Sequence, residues 1–481
     1  MPLRVHNVLS DQKEDFVPLT EGQVRMYVCG PTVYDHAHLG HAKTYIAFDL
    51  IVRFLRYSGY QVRYVQNITD VGHLLESGED RILRKAGQLG TEPMEIVETY
   101  TRSYFEDMDA LGVTRPDISP RASGHVPEQI EMITRLIDKG HAYVVGGDVY
   151  YDVSSFGDYG KLSNRKLEEQ ESGMRVDVEE SKRHPADFAL WKNAQDEHLL
   201  KWRSPWGWGF PGWHIECSAM ANRYLGPTFD IHGGGIDNIF PHNECEIAQS
   251  EAANGQPFAR YWLLTGSLTV EGVKMSKSLG NFMTVKDALE KYPPQAIRAF
   301  VFSGHYSNPI DFSEDAIYAA QKGWERLMGA VTLTRERLRD ASEGDGEKGF
   351  LDTVEAHKAR AVEALNDDFN APAAMGVLQN FTREVNHLLN SGDAAASDRT
   401  ILQAIDDLYR DIGGDVLGIV SGATARTADA GREDGLIRLL LDLRQQYRAE
   451  KQFDKSDEIR DRLAELGVTI EDRPDGTVYR V

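Results

Sequence analysis

Cysteine is scarce in this chain of 481 residues: Cys29, Cys217 and Cys245 are odd in number and widely separated, which excludes a disulfide framework and leaves the thiols for metal ligation or plain burial. Long apolar runs are missing as well. None reaches the roughly 20 residues needed to cross a bilayer, and the opening Met1 to Phe16 has no apolar stretch of the signal-peptide kind. The expectation is a cytoplasmic protein with no membrane contact. No GxxxxGK[ST] occurs, so any nucleotide must be held without a Walker loop. Neither an internal repeat nor a coiled-coil pattern is present, which excludes solenoids and favours a monomer. Basic residues, 53 against 75 acidic ones, leave a formal charge of -22, so a polyanion would be repelled unless cations are gathered locally.

What is present suits a folded protein of several domains, because 41% hydrophobic residues over this length exceed the needs of one core of about 100 to 200 residues. Val24, Met26 and Val28 alternate like a strand ending at Cys29-Gly30-Pro31, and Ile46, Leu50 and Phe54 recur at fourfold spacing like a helix face. Val62 to Val65, after the Ser58-Gly59 turn, reads as a second strand. The opening is thus a βαβ unit of a mostly parallel sheet, whose first loop lies beyond the carboxyl ends of the strands, where such sheets bind ligands.

Residues 1–111 and 201–265 are expected to form this α/β core, with 112–200, mixed in strand and helix signals, as an insertion. Trp206 to Asn281, dense in Gly, Trp, His and Pro, reads as loops on a scaffold that returns to the same sheet. Residues 266–310 carry a lysine loop, 311–420 read as a helical bundle containing Trp324 and Phe381 to Leu389, and 421–435 as a linker. In the small α+β segment 436–481, Leu436, Leu439, Leu440, Leu443 and Tyr447 mark an amphipathic helix, Asp457 to Leu466 another, and Asp475-Gly476 a hairpin. This segment holds nine basic and ten acidic side chains, nearly neutral within so acidic a chain. Arg444, Arg448, Lys451 and Lys455 recur there as a helical stripe, which suits RNA phosphates or a solvated face paired with Glu450 and Asp454.

Cys29 at a strand end, Cys217 in Gly212-Trp-His-Ile-Glu-Cys217, and His242 with Glu246 in Pro241-His-Asn-Glu-Cys-Glu246 supply two thiols, an imidazole and a carboxylate. His242 and Glu246 stand at i and i+4, so on a helix they share a face, and the four together suit tetrahedral zinc. The same residues suit buried thiols beside a solvated helical pair, and spacing leaves both readings open. Cys245 would lie about 100 degrees around the helix from Glu246, off the face of His242. His38-Leu-Gly-His41 falls between the first strand and its helix, a place where free N–H groups favour phosphate. Lys274-Met-Ser-Lys277-Ser278 follows the Glu271-Gly272 turn and could meet triphosphate oxygens, and Asp230-Ile-His-Gly-Gly-Gly235-Ile-Asp237 could receive a base and a ribose. Structural histidines, a solvated lysine loop and an ordinary glycine loop account for each piece taken alone.

Taken in order, Cys29-Gly-Pro-Thr-Val-Tyr-Asp35, His38-Leu-Gly-His41, Gly212-Trp-His-Ile-Glu-Cys217, Asp230 to Gly235, Phe240 to Glu246 and Lys274-Met-Ser-Lys-Ser278 resemble the cysteinyl-tRNA synthetases of class I, over the whole chain. The resemblance implies a Rossmann-like catalytic core with an inserted subdomain, a helical bundle, and a terminal anticodon-recognition domain at 436–481, with 266–310 as the lysine-motif loop and a stem-contact region. It implies that Cys29, Cys217, His242 and Glu246 hold one Zn2+, which the substrate thiolate joins, that Trp213 lines the cysteine pocket, and that Thr32 seats the amino acid. His38, His41, Lys274 and Lys277 would stabilise the triphosphate of ATP with Mg2+, and Gly235 and Asp237 would hold its adenosine. The implied partners are L-cysteine, ATP and tRNA(Cys).

Three departures from the family pattern stand out: Cys245 in place of Asn, Phe210 in place of an arginine near the substrate channel, and the run Asn67-Ile-Thr-Asp-Val-Gly-His73, which lacks the usual two aspartates and lysine after Val71. Two rival readings are a ligase passing activated cysteine to a glucosaminyl-inositol amine and a non-catalytic zinc-dependent RNA-binding protein. The C-terminal segments speak against the first, and the histidine and lysine motifs against the second.

Overall fold

The alternation at Val24, Met26 and Val28 builds strand Gln23–Val28, with all three side chains fully buried. Helix Leu39–Tyr57 follows, and strand Gln61–Gln66 returns parallel to the first with Val24 opposite Val62. This is the expected βαβ unit. The computed structural model describes residues 2–480 apart from 74–79, 166–181, 196–197, 275–281, 345–347, 392–393, 421–427 and 474–475. Chain contacts divide it into two units, Met1–Val420 and Ser421–Val481.

The parallel sheet has four strands in the order Ala259–Thr265, Phe229–Gly235, Gln23–Val28, Gln61–Gln66. Trp206 to Asn281 therefore does return to this sheet, but the expectation that it is mostly loop is corrected. Helix Trp213–Leu225, strand Phe229–Gly235, helix Glu244–Asn254 and strand Ala259–Thr265 alternate through it. Local composition misled because the glycines serve packing: a Cβ on Gly233 would overlap the Phe48 ring on helix Leu39–Tyr57, so the triple glycine lets that helix close on the strand.

The insertion is an antiparallel sheet in the order Ala142–Val145, Asp148–Tyr151, Phe188–Asn193, Gly207–Pro211, Trp202–Ser204. Its last strands lie beyond residue 200, and Pro211 leads directly into helix Trp213–Leu225.

A buried ion pair ties helix Leu39–Tyr57 to helix Pro294–Val301 and the helical region. The Arg298 guanidinium donates to Asp49 Oδ2 at 2.6 Å and to the Leu417 carbonyl at 2.8 Å, while Arg53 holds the same carboxylate at 2.8 Å. Burial raises the Asp49 pKa, but Arg298 and Arg53 more than offset this and hold it below the ordinary 3.8. A depressed carboxylate stabilises the fold above its unfolded pKa and loses that contribution as acid protonates it. Asp49→Asn leaves Arg298 buried without its counter-ion. It is expected to cost about 3 to 5 kcal/mol, read as a lowered midpoint of thermal unfolding at pH 7, with the difference from the parent shrinking below about pH 4.

Helices Glu314–Arg339, Lys348–Asn366, Ala371–Asn390 and Arg399–Leu408 form the C-terminal helical region of the first unit, as its Ala- and Leu-rich composition predicts. In the second unit, helix Ala428–Ala449 begins inside the segment read as a linker. Its buried face is Ile437, Leu441 and Arg444, packed with Leu463 and Val468, whereas Leu436, Leu439, Leu440 and Leu443 are exposed. The richer leucine stripe is thus not the one that forms this core. Nor is there a single cationic stripe. Arg444 is buried, Lys451 sits past the helix end at positive φ, and Lys455 belongs to the next helix, Phe453–Glu465, where it lies over the Tyr447 ring. Strands Thr469–Arg473 and Gly476–Arg480 form the expected hairpin, with Arg473 opposite Gly476.

Candidate active site and metal centre

Cys29 directly follows strand Gln23–Val28, and Gly235 ends its neighbour, so both stand at the carboxyl edge of the parallel sheet. A cavity of about 350 Å3 opens there, lined by Cys29, Thr32, His38, His41, His73, Trp213, Cys217, Gly235, Asp237 and His242. Every described side chain assigned above to cysteine or nucleotide faces this one space, apart from Glu246 beneath it. The backbone of Lys274 ends strand Val273–Lys274; its side chain and the whole of Lys277 lie outside the described residues.

At the floor, ligand atoms of Cys29, Cys217, His242 and Glu246 all lie within 4.8 Å of one another, and all four residues are buried. Cys217 arrives on the first turns of helix Trp213–Leu225, Glu246 on helix Glu244–Asn254, and His242 on the single turn before it. The fit to a metal rests on which lone pairs are already engaged. Glu246 Oε2 is held by His232 Nε2 at 3.0 Å and by Asn243 Nδ2 at 2.8 Å, while Glu246 Oε1 is buried with no hydrogen bond. His242 Nδ1 meets His214 Nδ1 at 3.0 Å, which leaves Nε2 toward the cluster. Two sulfurs, one nitrogen and one oxygen at these distances can hold a metal ion.

The electrostatics agree. Cys29 is lowered to about 6, chiefly by its hydrogen bond with Cys217, whose own thiol is pushed up by sharing that proton and by burial. Burial raises Glu246, but His232 and His242 outweigh it and bring the carboxyl to about 2. Burial lowers those two histidines, and Glu246 more than offsets this to raise both. The floor therefore favours the anionic forms of Cys29 and Glu246, whereas Cys217 and His242 are shifted toward their protonated forms and would give up a proton to a metal.

Cys245, although adjacent to Glu246, turns the other way: its Sγ lies 3.5 Å from Tyr159 Oη, and burial pushes its thiol up. It is not among the four clustered donors, as its helical phase indicates.

The two histidines of His38-Leu-Gly-His41 close the N-terminus of helix Leu39–Tyr57 as a reciprocal cap. His38 Nδ1 accepts from Gly40 N at 3.1 Å, and His41 Nδ1 accepts from His38 N at 3.2 Å. An accepting Nδ1 puts the proton of a neutral ring on Nε2, so each ring retains one N–H donor. Burial lowers His38 to about 4 and His41 to about 3, and both are neutral at pH 7.

Sequence spacing does not single out His73, His214 or His232, yet all three line or support the site. His73 accepts or donates to Thr32 Oγ1 at 2.6 Å and stacks on Trp213 at 4.3 Å, with Trp213 in turn stacked on His242 at 4.3 Å. Its position at the end of the Asn67 to His73 run is the one signal that pointed there. Asn67 Oδ1 accepts from Gly30 N at 2.8 Å, and a Cβ on Gly30 would overlap the Asn67 carbonyl, which explains the glycine after Cys29. Phe210, one of the three departures, is buried with its ring stacked on His198 at 4.2 Å, and it is not among the residues that line the cavity.

Comparison with known proteins bears on the whole chain. The family described as tRNA synthetases class I (C) catalytic domain matches residues 15–322, a DALR domain matches 360–421, and a cysteinyl-tRNA ligase anticodon binding domain matches 437–480. The cysteine--tRNA ligase of Chlorobaculum tepidum is 50% identical, covering 99% of this chain and 98% of its own, and that of Deinococcus radiodurans is 49% identical, covering 99% and 96%. Among solved structures, Mycobacterium tuberculosis methionyl-tRNA synthetase in complex with methionyl-adenylate superposes with a TM-score of 0.61 at 16% identity over 85% of this chain and 96% of that one, a likeness of fold. With half its residues identical to such a ligase and a sheet edge that gathers two thiols, an imidazole and a carboxylate beneath the His38/His41 cap, this chain belongs to the cysteinyl-tRNA synthetase family of class I.

Proposed function

We propose that this protein activates L-cysteine with ATP as cysteinyl adenylate and transfers the cysteinyl group to the terminal adenosine of tRNA(Cys). The observation that carries the reading is the sharing of one cavity by the Cys29/Cys217/His242/Glu246 cluster and the His38/His41 helix cap. The first can select a thiol, and the second can receive phosphate.

In this reading Cys29, Cys217, His242 and Glu246 hold one zinc ion, which when bound favours a thiolate over a hydroxyl as the amino acid's side chain. His232 and Asn243 orient the Glu246 carboxylate, and His214 orients the His242 ring. Trp213, stacked between His73 and His242, walls the side-chain pocket, while Thr32 and His73 offer polar contacts to the amino acid. The cysteine carboxylate then attacks the α-phosphorus of magnesium ATP, and pyrophosphate leaves. His38 and His41 donate from Nε2 to the triphosphate as charge shifts toward pyrophosphate, and Lys274 and Lys277 add cationic contacts. Gly235 and Asp237, at the adjacent strand end, seat the adenosine.

Cysteine-dependent ATP–pyrophosphate exchange, with serine and with no amino acid as controls, tests activation; charging of tRNA(Cys) tests transfer. Exchange equally stimulated by serine, or none at all with cysteine, overturns the reading.

The second unit is assigned to anticodon recognition, supported by the family match at 437–480 and by its forming a compact unit of its own. Truncation after Gly435 is expected to leave cysteine-dependent exchange within about threefold of the full chain. Charging should fall about 100-fold in kcat/KM, equivalent to about 2.8 kcal/mol of lost tRNA binding. Unchanged charging by the truncated chain would move recognition to the helical region.

A further inference from the structure

Lys43 lies one half-turn beyond His41 on helix Leu39–Tyr57 and is 2% exposed. Among the described residues its ammonium meets no carboxylate. Nζ donates to three backbone carbonyls, those of Gly266 at 2.5 Å, Tyr306 at 3.2 Å and Asn308 at 3.1 Å. Gly266 lies just before strand Leu268–Val270, and Asn308 just before Ile310–Phe312, which pairs with it in parallel. One side chain thus pins the roots of two strands whose third partner, Val273–Lys274, begins the lysine motif.

The far end of this frame is tied too. Asp311 Oδ1 accepts from Thr269 Oγ1 at 2.6 Å and from Gly272 N at 2.7 Å, which fixes the turn just before Lys274. Beyond the motif, the chain rejoins the same helix N-terminus: Leu39 N donates to Met283 O at 3.2 Å and Val285 N to Ala37 O at 2.9 Å, flanking a bridge between His38 and Thr284. The segments entering and leaving the lysine motif are therefore both bound to the element that carries His38 and His41.

We propose that Lys43 is a positioning residue for adenylate formation, which holds the strands that lead into the lysine motif against the helix that carries the His38/His41 cap. A buried cation is costly unless its hydrogen bonds are met, and three donors matched to three carbonyls from two segments meet them while fixing the segments' separation. An apolar side chain could fill the space but would hold none of these carbonyls to the helix. Misplacing a reacting contact by about 1 Å can cost about 100-fold in rate, so a small relaxation of this frame is felt in chemistry.

The proposal rests on the reading that Lys277 acts on the triphosphate, and a double-mutant cycle separates the two. Single-turnover adenylate formation is measured in the full chain, with Lys43→Met, Lys277→Ala and both together. Lys43→Met alone should slow the step about 100-fold while metal content and the dissociation constants of cysteine and ATP stay within about threefold. In the Lys277→Ala background the same change should cost less than about fivefold, because the contact it positions is already gone. Equal losses in both backgrounds, or a parallel loss of cysteine affinity, overturn the proposal. A Lys277→Ala protein with the parental rate overturns the triphosphate reading instead. Should Lys43→Met not fold, Asp311→Ala on the exposed side of the same frame decides by the same cycle: a slowing that shrinks without Lys277 supports the frame, and no slowing overturns it.

Discussion

Cys217→Ser is expected to lose bound zinc and, with it, the preference for cysteine over serine. The warrant is the donor geometry: Cys217 Sγ is one of four ligand atoms within 4.8 Å, and a serine hydroxyl in its place does not supply an anionic donor at neutral pH. Zinc content of the purified variant should fall below about a tenth of the parent's, since metal sites of this kind depend on every ligand being deprotonated. Cysteine-dependent exchange should fall by about 1,000-fold or more. What discrimination remains should not exceed the roughly 100-fold that pocket shape alone achieves. Cys245→Ser supplies the control, because its sulfur sits against Tyr159 and its thiol is held protonated by burial. That variant should keep metal, rate and selectivity. Acid should weaken zinc binding in the parent protein, because thiolate and imidazole ligands lose their donor lone pairs on protonation; metal analysis after dialysis at falling pH checks the sign. A Cys217→Ser protein that retains one tight zinc and full selectivity sinks the assignment, as does loss of either by Cys245→Ser.

Lys277→Ala is expected to slow adenylate formation by about 100- to 1,000-fold with little change in cysteine affinity, the loss typical of removing one contact made chiefly in the transition state. Burial lowers His38 to about 4 and His41 to about 3, so in the empty cavity neither ring carries positive charge at pH 7. Rapid-quench measurement of adenylate at saturating ATP separates rate from binding. An unchanged single-turnover rate would remove Lys277 from the chemistry.

Much of this architecture follows from residue periodicity. Strand Gln23–Val28 and helix Leu39–Tyr57 were legible because their apolar positions recur at the strand and helix intervals, although both are buried beyond that one face. The helix starting at Trp213 was not, because Gly212, Trp213 and His214 look like loop residues until a helix cap and a stacked pocket explain them. The C-terminal helix failed for the opposite reason. Leu436, Leu439, Leu440 and Leu443 make the stronger apolar pattern, yet Ile437 and Leu441 pack with Leu463 and Val468. Two stripes on one helix compete, and periodicity alone cannot say which one a neighbour covers.

At the site itself, the chain's own order of residues determined the chemistry available: two thiols, an i,i+4 imidazole and carboxylate, a histidine pair at a helix start, and a lysine motif after a turn. It also determined that Cys245 faces away, since helical phase is a local property. Only the tertiary structure decided that Cys29, Cys217 and His242 meet, for Cys29 lies roughly 200 residues before the other two in the chain, and the segments converge because parallel strands end on one edge of a sheet. It alone decided which lone pairs are left over, Glu246 Oε1 and His242 Nε2, because their partners His232, Asn243 and His214 are spatial neighbours rather than members of any motif. And it alone placed Lys43 against three carbonyls drawn from two distant turns, since backbone oxygens carry no signature in the sequence and their use by a side chain appears only when the chain is folded.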